Sequence, residues 1–470
     1  MRTKKEKSGI LSDMKIQLDP PLYAKEISDA LGVAFSGNTA RTFTHLATSS
    51  DECDVKTLFI ALEGKRRHGN EFIPSLARFG VASIGGHACK NTFCVSSGLD
   101  ALMRLAAYRK KRLHQLSQTV GITGSVGKTT TKDATALLLA QKYRVHKTPS
   151  NLNSEIGLSF SILASPPDTE VLVLELGINH PGEMSRLSAL ANPDIAVITN
   201  VGLSHIGNFS CTEELIREKA RIASKDTRAL LIGSAIPSFP EICDALRVGE
   251  GGVYQLLPLE NDAHLFLHPE GALPLSSAFM ERDIEAALLF ALSVGRLLGL
   301  SDTELSCGAE EVCKMKGRRR VQEHGGITLI DDSYNASLES IDLALSVLCR
   351  GGGKRFAVLS DVLELGDRSE EIHERIGERI ATHAPDGVFF LGNQAHSVRK
   401  GAVRGGYDTG KIVALGGKEH ERCALLLSQV VKAGDRVLLK GSHGGELWRV
   451  GEHLAVLLNA QPKNKKEEHE

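Results

Sequence analysis

Residues 121–133, "GITGSVGKTTTKD", contain a glycine-rich turn followed directly by a lysine and a run of threonines. The general phosphate-binding loop reads G-x-x-x-x-G-K-[ST], and its first glycine falls here on Ile122. A tighter T-G-S-x-G-K-T pattern therefore remains. Gly124 and Gly127 lack a Cβ, so the backbone can wrap closely around phosphate oxygens, and Lys128 adds a positive charge.

The sequence on either side of this turn supplies the context that a phosphate-binding loop needs. "TVGITG" (119–124) predicts a strand, and "TTTKDATALLLAQKY" (129–143) predicts a helix that begins at the turn. Thr129 would then offer its hydroxyl to Mg²⁺. The alternative is a glycine-rich turn that binds nothing, but a strand, loop and helix in this order favour nucleotide binding.

Length and composition limit the classes of protein that this chain can belong to. It has 470 residues, enough for about three domains. The 56 Lys and Arg nearly balance the 57 Asp and Glu, which does not favour nucleic acid as a partner. We find no apolar run long enough to insert into a membrane, and the nine cysteines contain no C-x-x-C pair. We expect a soluble, cytoplasmic monomer with reduced thiols.

Alternating strand and helix patterns predict an α/β fold with three domains. A smaller mixed α/β domain would cover 1–114, and a central parallel sheet with the phosphate-binding loop would cover 115–316. Strands such as "ITLIDD" and "RVLLKGS" predict a doubly wound, Rossmann-like sheet over 317–460. The charged residues 461–470 are expected to be a disordered tail.

Three further residues are candidates for a site beside the loop. Glu175 ends the apolar stretch "VLVLE", where a carboxylate could hold Mg²⁺ opposite Thr129, although an acid at a strand end is often a helix cap. His205 follows another such strand, and taken alone it fits an ordinary loop histidine better than a ligand. Lys219 could be an exposed helix lysine that pairs with a nearby glutamate, Glu214 or Glu218.

Taken in order, these motifs resemble the Mur ligase superfamily of ATP-dependent enzymes that form amide bonds. The order is T-G-S-x-G-K-T-T, E-L-G, T-N-V-G-x-x-H and then a lysine. "IDDSYNAS", "LSDVLELGDRSEEIHERIG" and "LLKGSHG" in the third domain resemble the branch that adds D-alanyl-D-alanine to UDP-N-acetylmuramoyl tripeptide. The resemblance covers roughly residues 40–450. It implies a step of peptidoglycan precursor synthesis that proceeds through an acyl phosphate.

The resemblance also implies roles for individual residues. Lys128, His205 and Lys219 would be catalytic, and Lys219 would carry a carbamate, which turns a cation that repels Mg²⁺ into an anionic ligand. ATP would be bound by Gly124, Ser125, Val126, Gly127, Lys128, Thr129, Thr130, Asp283, Arg318 and Asp332. Mg²⁺ would be bound by Thr129, Glu175, His205 and Lys219. The acceptor and the incoming amine would be bound by Thr148, Asn151, Asn153, Asn335, Ser340, Lys440 and Ser442.

The N-terminal domain departs from the family pattern. A T-D-S-R motif on the uridine side would fall on "TSSD" (48–51), which places Asp51 where the family has an arginine. A D-G-H motif would fall on "HGN" (68–70), which keeps only the glycine. A carboxylate cannot make the contacts of a guanidinium. The alternatives are therefore a related ligase with another acid and amine, and a nucleotide-binding scaffold without activity.

Overall fold

The computed structural model describes residues 14–64, 67–203, 206–259, 263–275, 282–315, 320–349 and 352–460. Its contacts divide the chain into two compact units. The first unit extends to Lys314 and the second begins at Met315, except that Asn179–Pro181 and Asn200–Ile216 belong to the second. The domain boundaries at 114, 316 and 460 stay predictions, and the tail predicted for 461–470 lies outside the described residues.

The first unit begins with a small mixed sheet in the spatial order β1-β2-β3-β4-β5, in which only the β1–β2 pair is antiparallel. Both β3 and β4 are buried along their whole length. The strands are β1 (Lys15–Tyr23), β2 (Thr42–Ala47), β3 (Thr57–Ile60), β4 (Ala82–Gly85) and β5 (Thr92–Cys94). The helices are α1 (Ala24–Leu31), α2 (Ile73–Arg78) and α3 (Gly98–Lys111).

The same unit contains a six-stranded sheet in the order β11-β10-β9-β6-β8-β7, with every pair parallel. The helices α8 and α9 pack against α4. The strands are β6 (Gln118–Thr123), β7 (Val145–Lys147), β8 (Val171–Glu175), β9 (Ile195–Ile198), β10 (Ala229–Gly233) and β11 (Leu246–Val248). The helices are α4 (Lys128–Leu139), α5 (Glu155–Leu163), α6 (Glu183–Ala191), α8 (Arg282–Leu297) and α9 (Asp302–Cys313). The helix α7 (Thr212–Ala220) belongs to the second unit up to Ile216 and to the first unit from Arg217. A separate antiparallel sheet contains β12 (Gln255–Pro258), β13 (His264–His268) and β14 (Gly271–Leu275).

The second unit is built on a six-stranded sheet in the order β15-β16-β20-β17-β18-β19, parallel except for the edge strand β15. The strands are β15 (Arg320–His324), β16 (Ile327–Asp332), β17 (Arg355–Ser360), β18 (Gly387–Leu391), β19 (Ile412–Leu415) and β20 (Arg436–Lys440). The helices are α10 (Leu338–Leu348), α11 (Ser369–His383), α12 (Ala395–Arg404), α13 (His420–Val430) and α14 (Trp448–Ala460). These sheets confirm the fold class that the sequence predicts.

A serine cap fixes the start of the basic helix α3. The helix begins at Gly98, because the Ser97 hydroxyl accepts a hydrogen bond from the Asp100 backbone N–H. The nine cysteines are all free, as expected. None of the helices in the described part of the chain is long and apolar enough to span a membrane.

Candidate functional site

The glycine-rich turn connects β6 directly to the N-terminus of α4. Gly124 has φ 148° and Gly127 has φ 80°, values that residues with a Cβ rarely adopt. A Cβ at Gly127 would meet nothing within 4 Å, so the backbone dihedral, not the space, requires glycine there. With glycine before α4, no side chain at that position caps the first-turn N–H groups, which favours binding of an anion.

The side chain of Lys128 lies against the turn that precedes it. Its ammonium donates hydrogen bonds to the carbonyls of Gly124, at 2.6 Å, and Ser125, at 3.2 Å. The Thr199 hydroxyl, just after β9, donates to the Val126 carbonyl at 2.7 Å. The Lys128 side chain and the Thr199 hydroxyl therefore hold the turn in place. Thr130 lies in the first turn of α4.

Glu175 lies at the end of β8 and is only 1% exposed. Its carboxylate accepts hydrogen bonds from the Thr129 hydroxyl, at 2.7 Å, and from the Asn153 amide, at 2.8 Å. Its backbone N–H donates to the Thr148 hydroxyl at 3.0 Å. The structure thus brings together Thr129, Thr148, Asn153 and Glu175, four of the residues singled out in the sequence. Asn151 lies in the same short segment as Thr148 and Asn153. In the described structure the Glu175 carboxylate joins side chains of two other segments and does not cap a helix.

Sequence reasoning missed Lys132, which is 1% exposed and lies 3.7 Å from the Glu175 carboxylate. Desolvation by burial lowers the pKa of Lys132, and the charges of Asp133 and Glu175 oppose this shift. The available signal was its spacing of four residues from Lys128, which places it on the same face of α4 one turn later.

Lys219 is buried, with 2% of its surface exposed, so the alternative of an exposed helix lysine is wrong. Burial lowers its pKa well below the ordinary lysine value, and the positive charge of Lys128 lowers it further. Glu214 instead accepts hydrogen bonds from Ser210. Among the residues that the structure describes, none accepts a hydrogen bond from the Lys219 ammonium. The burial and the nearby cation both favour the neutral amine.

Glu218, the other glutamate considered as a partner of Lys219, has a different function. Its carboxylate accepts hydrogen bonds from the backbone N–H groups of Gly182, at 2.8 Å, and Met184, at 3.0 Å, which begin α6. Arg221 pairs with the same carboxylate at 2.8 Å. Glu218 therefore acts as a helix cap from a distant part of the chain.

In the second unit, Lys440 is buried at the end of β20. Its ammonium lies 2.9 Å from the Asp332 carboxylate and donates to the Asn335 carbonyl at 2.8 Å. The Asn335 side chain accepts a hydrogen bond from the Ala336 N–H. Ser340 and Ser337 form a reciprocal cap that begins α10. Ser340 thus has a structural role at this helix start.

The loop after β17 is held by two buried side chains. The Ser442 hydroxyl accepts a hydrogen bond from the Leu363 N–H at 3.2 Å. His373 of α11 accepts one from the Val362 N–H at 3.1 Å through Nε2, and its Nδ1 donates to the Ser369 carbonyl at 2.7 Å. Because Val362 N–H is always a donor, the neutral histidine is the form that fits.

We expect His373 to make stability depend on pH. Desolvation by burial lowers the pKa of His373 from its ordinary value of 6.5. The unfolded chain therefore binds more protons in acid, and the contribution of His373 to stability is present above about pH 6.5 and is lost as the pH falls through the folded-state pKa. The melting temperature should therefore fall less between about pH 7.5 and about pH 5.5 for His373→Gln than for the wild type. The control is His453→Gln, at a side chain that is 42% exposed, and an identical loss in the two variants would contradict this expectation.

The segment Asn200–Ile216 packs within the second unit. The Leu203 N–H donates to the Glu339 carboxylate at 3.0 Å, and the Gly207 N–H donates to the Glu364 carbonyl at 3.2 Å. A Cβ at Gly207 would lie 2.5 Å from the Gly366 nitrogen, so the two backbones touch. The described residues that follow Thr199 in this segment therefore group with third-domain residues.

Two site predictions lie outside the described residues, namely those for His205 and Arg318. Asp283 lies in the first turn of α8, and its side chain is likewise outside the described part of the structure. The roles of these three residues remain predictions.

The divergent N-terminal motifs have separate structural settings. Asp51 lies in the short 3₁₀ helix Ser50–Glu52 and is exposed. The Asn70 side chain accepts a hydrogen bond from the Gly86 N–H at 2.9 Å, and the Asn70 backbone N–H donates to His68 at 3.1 Å. Asn70 therefore holds the end of β4 in place.

Two family models match the chain. The Mur ligase middle domain matches residues 122–239, and the Mur ligase, glutamate ligase domain matches residues 317–443. The UDP-N-acetylmuramoyl-tripeptide–D-alanyl-D-alanine ligase of Bacillus subtilis is 32% identical over 433 residues, which are 87% of this chain and 92% of that protein.

Solved structures agree with these matches. MurF ligase from Thermotoga maritima in complex with ADP is 31% identical, has a TM-score of 0.74, and aligns with 88% of this chain and 97% of its own. MurF from Acinetobacter baumannii shares the fold, with a TM-score of 0.82 over 94% of this chain and all of its own, at 24% identity.

Proposed function

The chain belongs to the Mur ligase family, and we infer that it is the member that adds D-alanyl-D-alanine to UDP-N-acetylmuramoyl tripeptide in peptidoglycan precursor synthesis. The observation that carries this inference is the 32% identity, over 87% of the chain, to the Bacillus subtilis ligase of that name. It is an ATP-dependent ligase that forms a peptide bond.

We propose that the turn before α4 binds the phosphates of ATP. Support comes from the ADP complex of the Thermotoga maritima relative and from the open backbone at Gly127. Lys128 would exchange the carbonyls of Gly124 and Ser125 for phosphate oxygens, which are stronger acceptors because they are charged. Asp283, Arg318 and Asp332 would bind the rest of the nucleotide.

The residues beside the turn fit a magnesium ion. The Thr129 hydroxyl and the Glu175 carboxylate offer adjacent hard oxygen atoms, 2.7 Å apart. Mg²⁺ is usually held by one or two carboxylates together with substrate phosphates, so this pair of ligands beside a phosphate-binding turn suits it. When bound, Mg²⁺ would neutralise charge that develops on the transferred phosphoryl group.

We propose that Lys219 carries a carbamate and, with His205, serves a second magnesium ion. A carbamate forms when the nitrogen lone pair of a neutral amine bonds to the carbon of CO₂ and the nitrogen releases a proton. The buried position of Lys219 and its lowered pKa both favour the neutral amine that this step requires. The resulting anion would also compensate the charge of Lys128.

In the proposed reaction, a carboxylate of the acceptor attacks the γ-phosphate of ATP and gives an acyl phosphate and ADP. The amine of D-alanyl-D-alanine then attacks the acyl carbon, forms the amide and expels phosphate. Lys128 would stabilise the charge on the transferred group. Thr148, Asn151 and Asn153 would contact the acceptor, and Asn335, Ser340, Lys440 and Ser442 would form the site for the amine.

One observation favours a second candidate, a related ligase with another acid and amine. Asp51 is exposed where the family has an arginine, and Asn70 is used to hold β4. The scaffold alternative is disfavoured, because burial of Glu175 and Lys219 is costly and a scaffold gains nothing from it. We further propose that the protein acts as a monomer in the cytoplasm, where ATP is available.

We expect ADP release to require both substrates. With UDP-N-acetylmuramoyl tripeptide and D-alanyl-D-alanine together, the rate should exceed that with either alone by at least about tenfold, because the acyl phosphate needs a bound carboxylate and resolves into product only with an amine. A coupled ADP assay measures this. Lys128→Met serves as the control for contaminating ATPases. Equal rates with and without acceptor would reject the proposal, and activity with another acid and amine only would establish the second candidate.

A further inference from the structure

Lys132 has no role in the reaction described above, yet it is 1% exposed beside the phosphate-binding turn. Its ammonium donates to the Ser150 carbonyl at 2.9 Å and lies 3.5 Å from the Asp133 carboxylate and 3.7 Å from that of Glu175. A lysine is rarely buried unless its charge is paired. The charge of Lys132 is paired with Asp133 and Glu175, and its hydrogen bond to Ser150 connects α4 to the segment 148–153.

The backbone of that segment is strained where Lys132 holds it. Ser150 has φ 49°, in the left-handed region that residues other than glycine rarely adopt, and its side chain is exposed. Such a conformation persists only where its surroundings enforce it, and it is common at sites that bind a substrate. The hydrogen bond from the Lys132 ammonium to the Ser150 carbonyl is one of the contacts that hold this conformation, and it is the one that comes from α4.

Both ends of the segment are fixed to the end of β8. Thr148 accepts a hydrogen bond from the Glu175 N–H, and the Asn153 side chain donates to the Glu175 carboxylate. The Asn153 carbonyl accepts from the Gly177 N–H at 2.9 Å, and a Cβ at Gly177 would lie 2.7 Å from the Asn153 side chain. The middle of the segment is fixed by Lys132, which belongs to α4.

We propose that Lys132 is a positioning residue for the acceptor: it holds the strained turn at Ser150, and thereby sets the positions of Asn151 and Asn153 relative to α4. This inference rests on the proposed function, which assigns contacts with the acceptor to this segment. In the proposed function the turn before α4 would hold the nucleotide, whereas the hydrogen bond of the Lys132 ammonium goes to Ser150.

The test is the variant Lys132→Met, which keeps the length of the side chain and removes its charge. We expect the acceptor KM to rise by at least about tenfold, because a charged hydrogen bond that orders the segment is lost. The affinity for ADP, measured by calorimetry, should stay within about threefold of the wild type. A merely structural role would lower the melting temperature and leave the acceptor KM of the folded enzyme unchanged, which would overturn the proposal.

Lys147→Met is the matched control. Lys147 contacts the same Asp133 carboxylate, at 2.6 Å, but its side chain is 41% exposed and its ammonium is bonded to Asp133 and not to Ser150. The acceptor KM of Lys147→Met should equal that of the wild type. An equal rise of the acceptor KM in both lysine variants would overturn the proposal, since it would point to Asp133 and not to the turn.

A second variant covers the case in which Lys132→Met does not fold. Ser150→Pro fixes φ near −65° at an exposed position and so moves the carbonyl that Lys132 holds. It should raise the acceptor KM and leave ADP affinity unchanged, whereas a wild-type acceptor KM would overturn the proposal. If the wild type itself does not use UDP-N-acetylmuramoyl tripeptide, the proposed function fails. If the wild type does use this acceptor, and Lys132→Met and Ser150→Pro both have its acceptor KM, only this inference fails.

Discussion

Lys219→Ala should lower the rate of ligation by about 10³-fold or more, equivalent to about 4 kcal/mol of transition-state stabilisation. The reason is that the substitution removes the Lys219 amine together with the carbamate that we propose this amine carries. Short carboxylates such as formate or acetate should restore part of the activity, because they can enter the vacated space and act as the missing anionic ligand. Steady-state ADP release with and without added carboxylate measures both effects.

The control for Lys219→Ala is Lys225→Ala, at an exposed position shortly after the same helix, which should behave as the wild type. A direct readout is the carbamate signal in a carbon-13 NMR spectrum of the wild type with labelled bicarbonate, which Lys219→Ala should lack. Full activity of the alanine variant, or a wild-type spectrum without that signal, would remove the carbamate from the mechanism.

Glu175→Gln should lose activity by about 10³-fold and should also lower the free energy of unfolding by about 1–3 kcal/mol. The activity falls because a neutral amide oxygen is a weaker magnesium ligand than a carboxylate. Stability falls because Lys132, 3.7 Å away, loses a buried negative neighbour. Urea unfolding and ADP release measure the two quantities.

The double variant Glu175→Gln with Lys132→Met separates these effects. It should recover part of the lost stability, because no buried charge is left without its neighbour, but it should remain inactive. Recovery of activity together with stability would show that Glu175 serves the fold alone.

Local sequence determined the fold class and the position of the phosphate-binding turn. The alternation of apolar strands with helices depends on neighbouring residues, and so does the need for glycine at positions 124 and 127. The same holds for "VLVLE", whose uninterrupted apolar run predicts a strand buried on both faces and places Glu175 at its end. These features could be predicted because each depends on a few consecutive residues.

The tertiary structure alone decided which charges are buried and what they contact. Lys219 lies in "TEELIREKA", a polar helix pattern that indicates exposure, yet it is buried. Lys132 reaches Ser150, 18 positions away, and Lys440 reaches Asn335, 105 positions away. Burial and pairing depend on segments that are distant in the chain and meet only when the sheets form, so no local pattern can encode them.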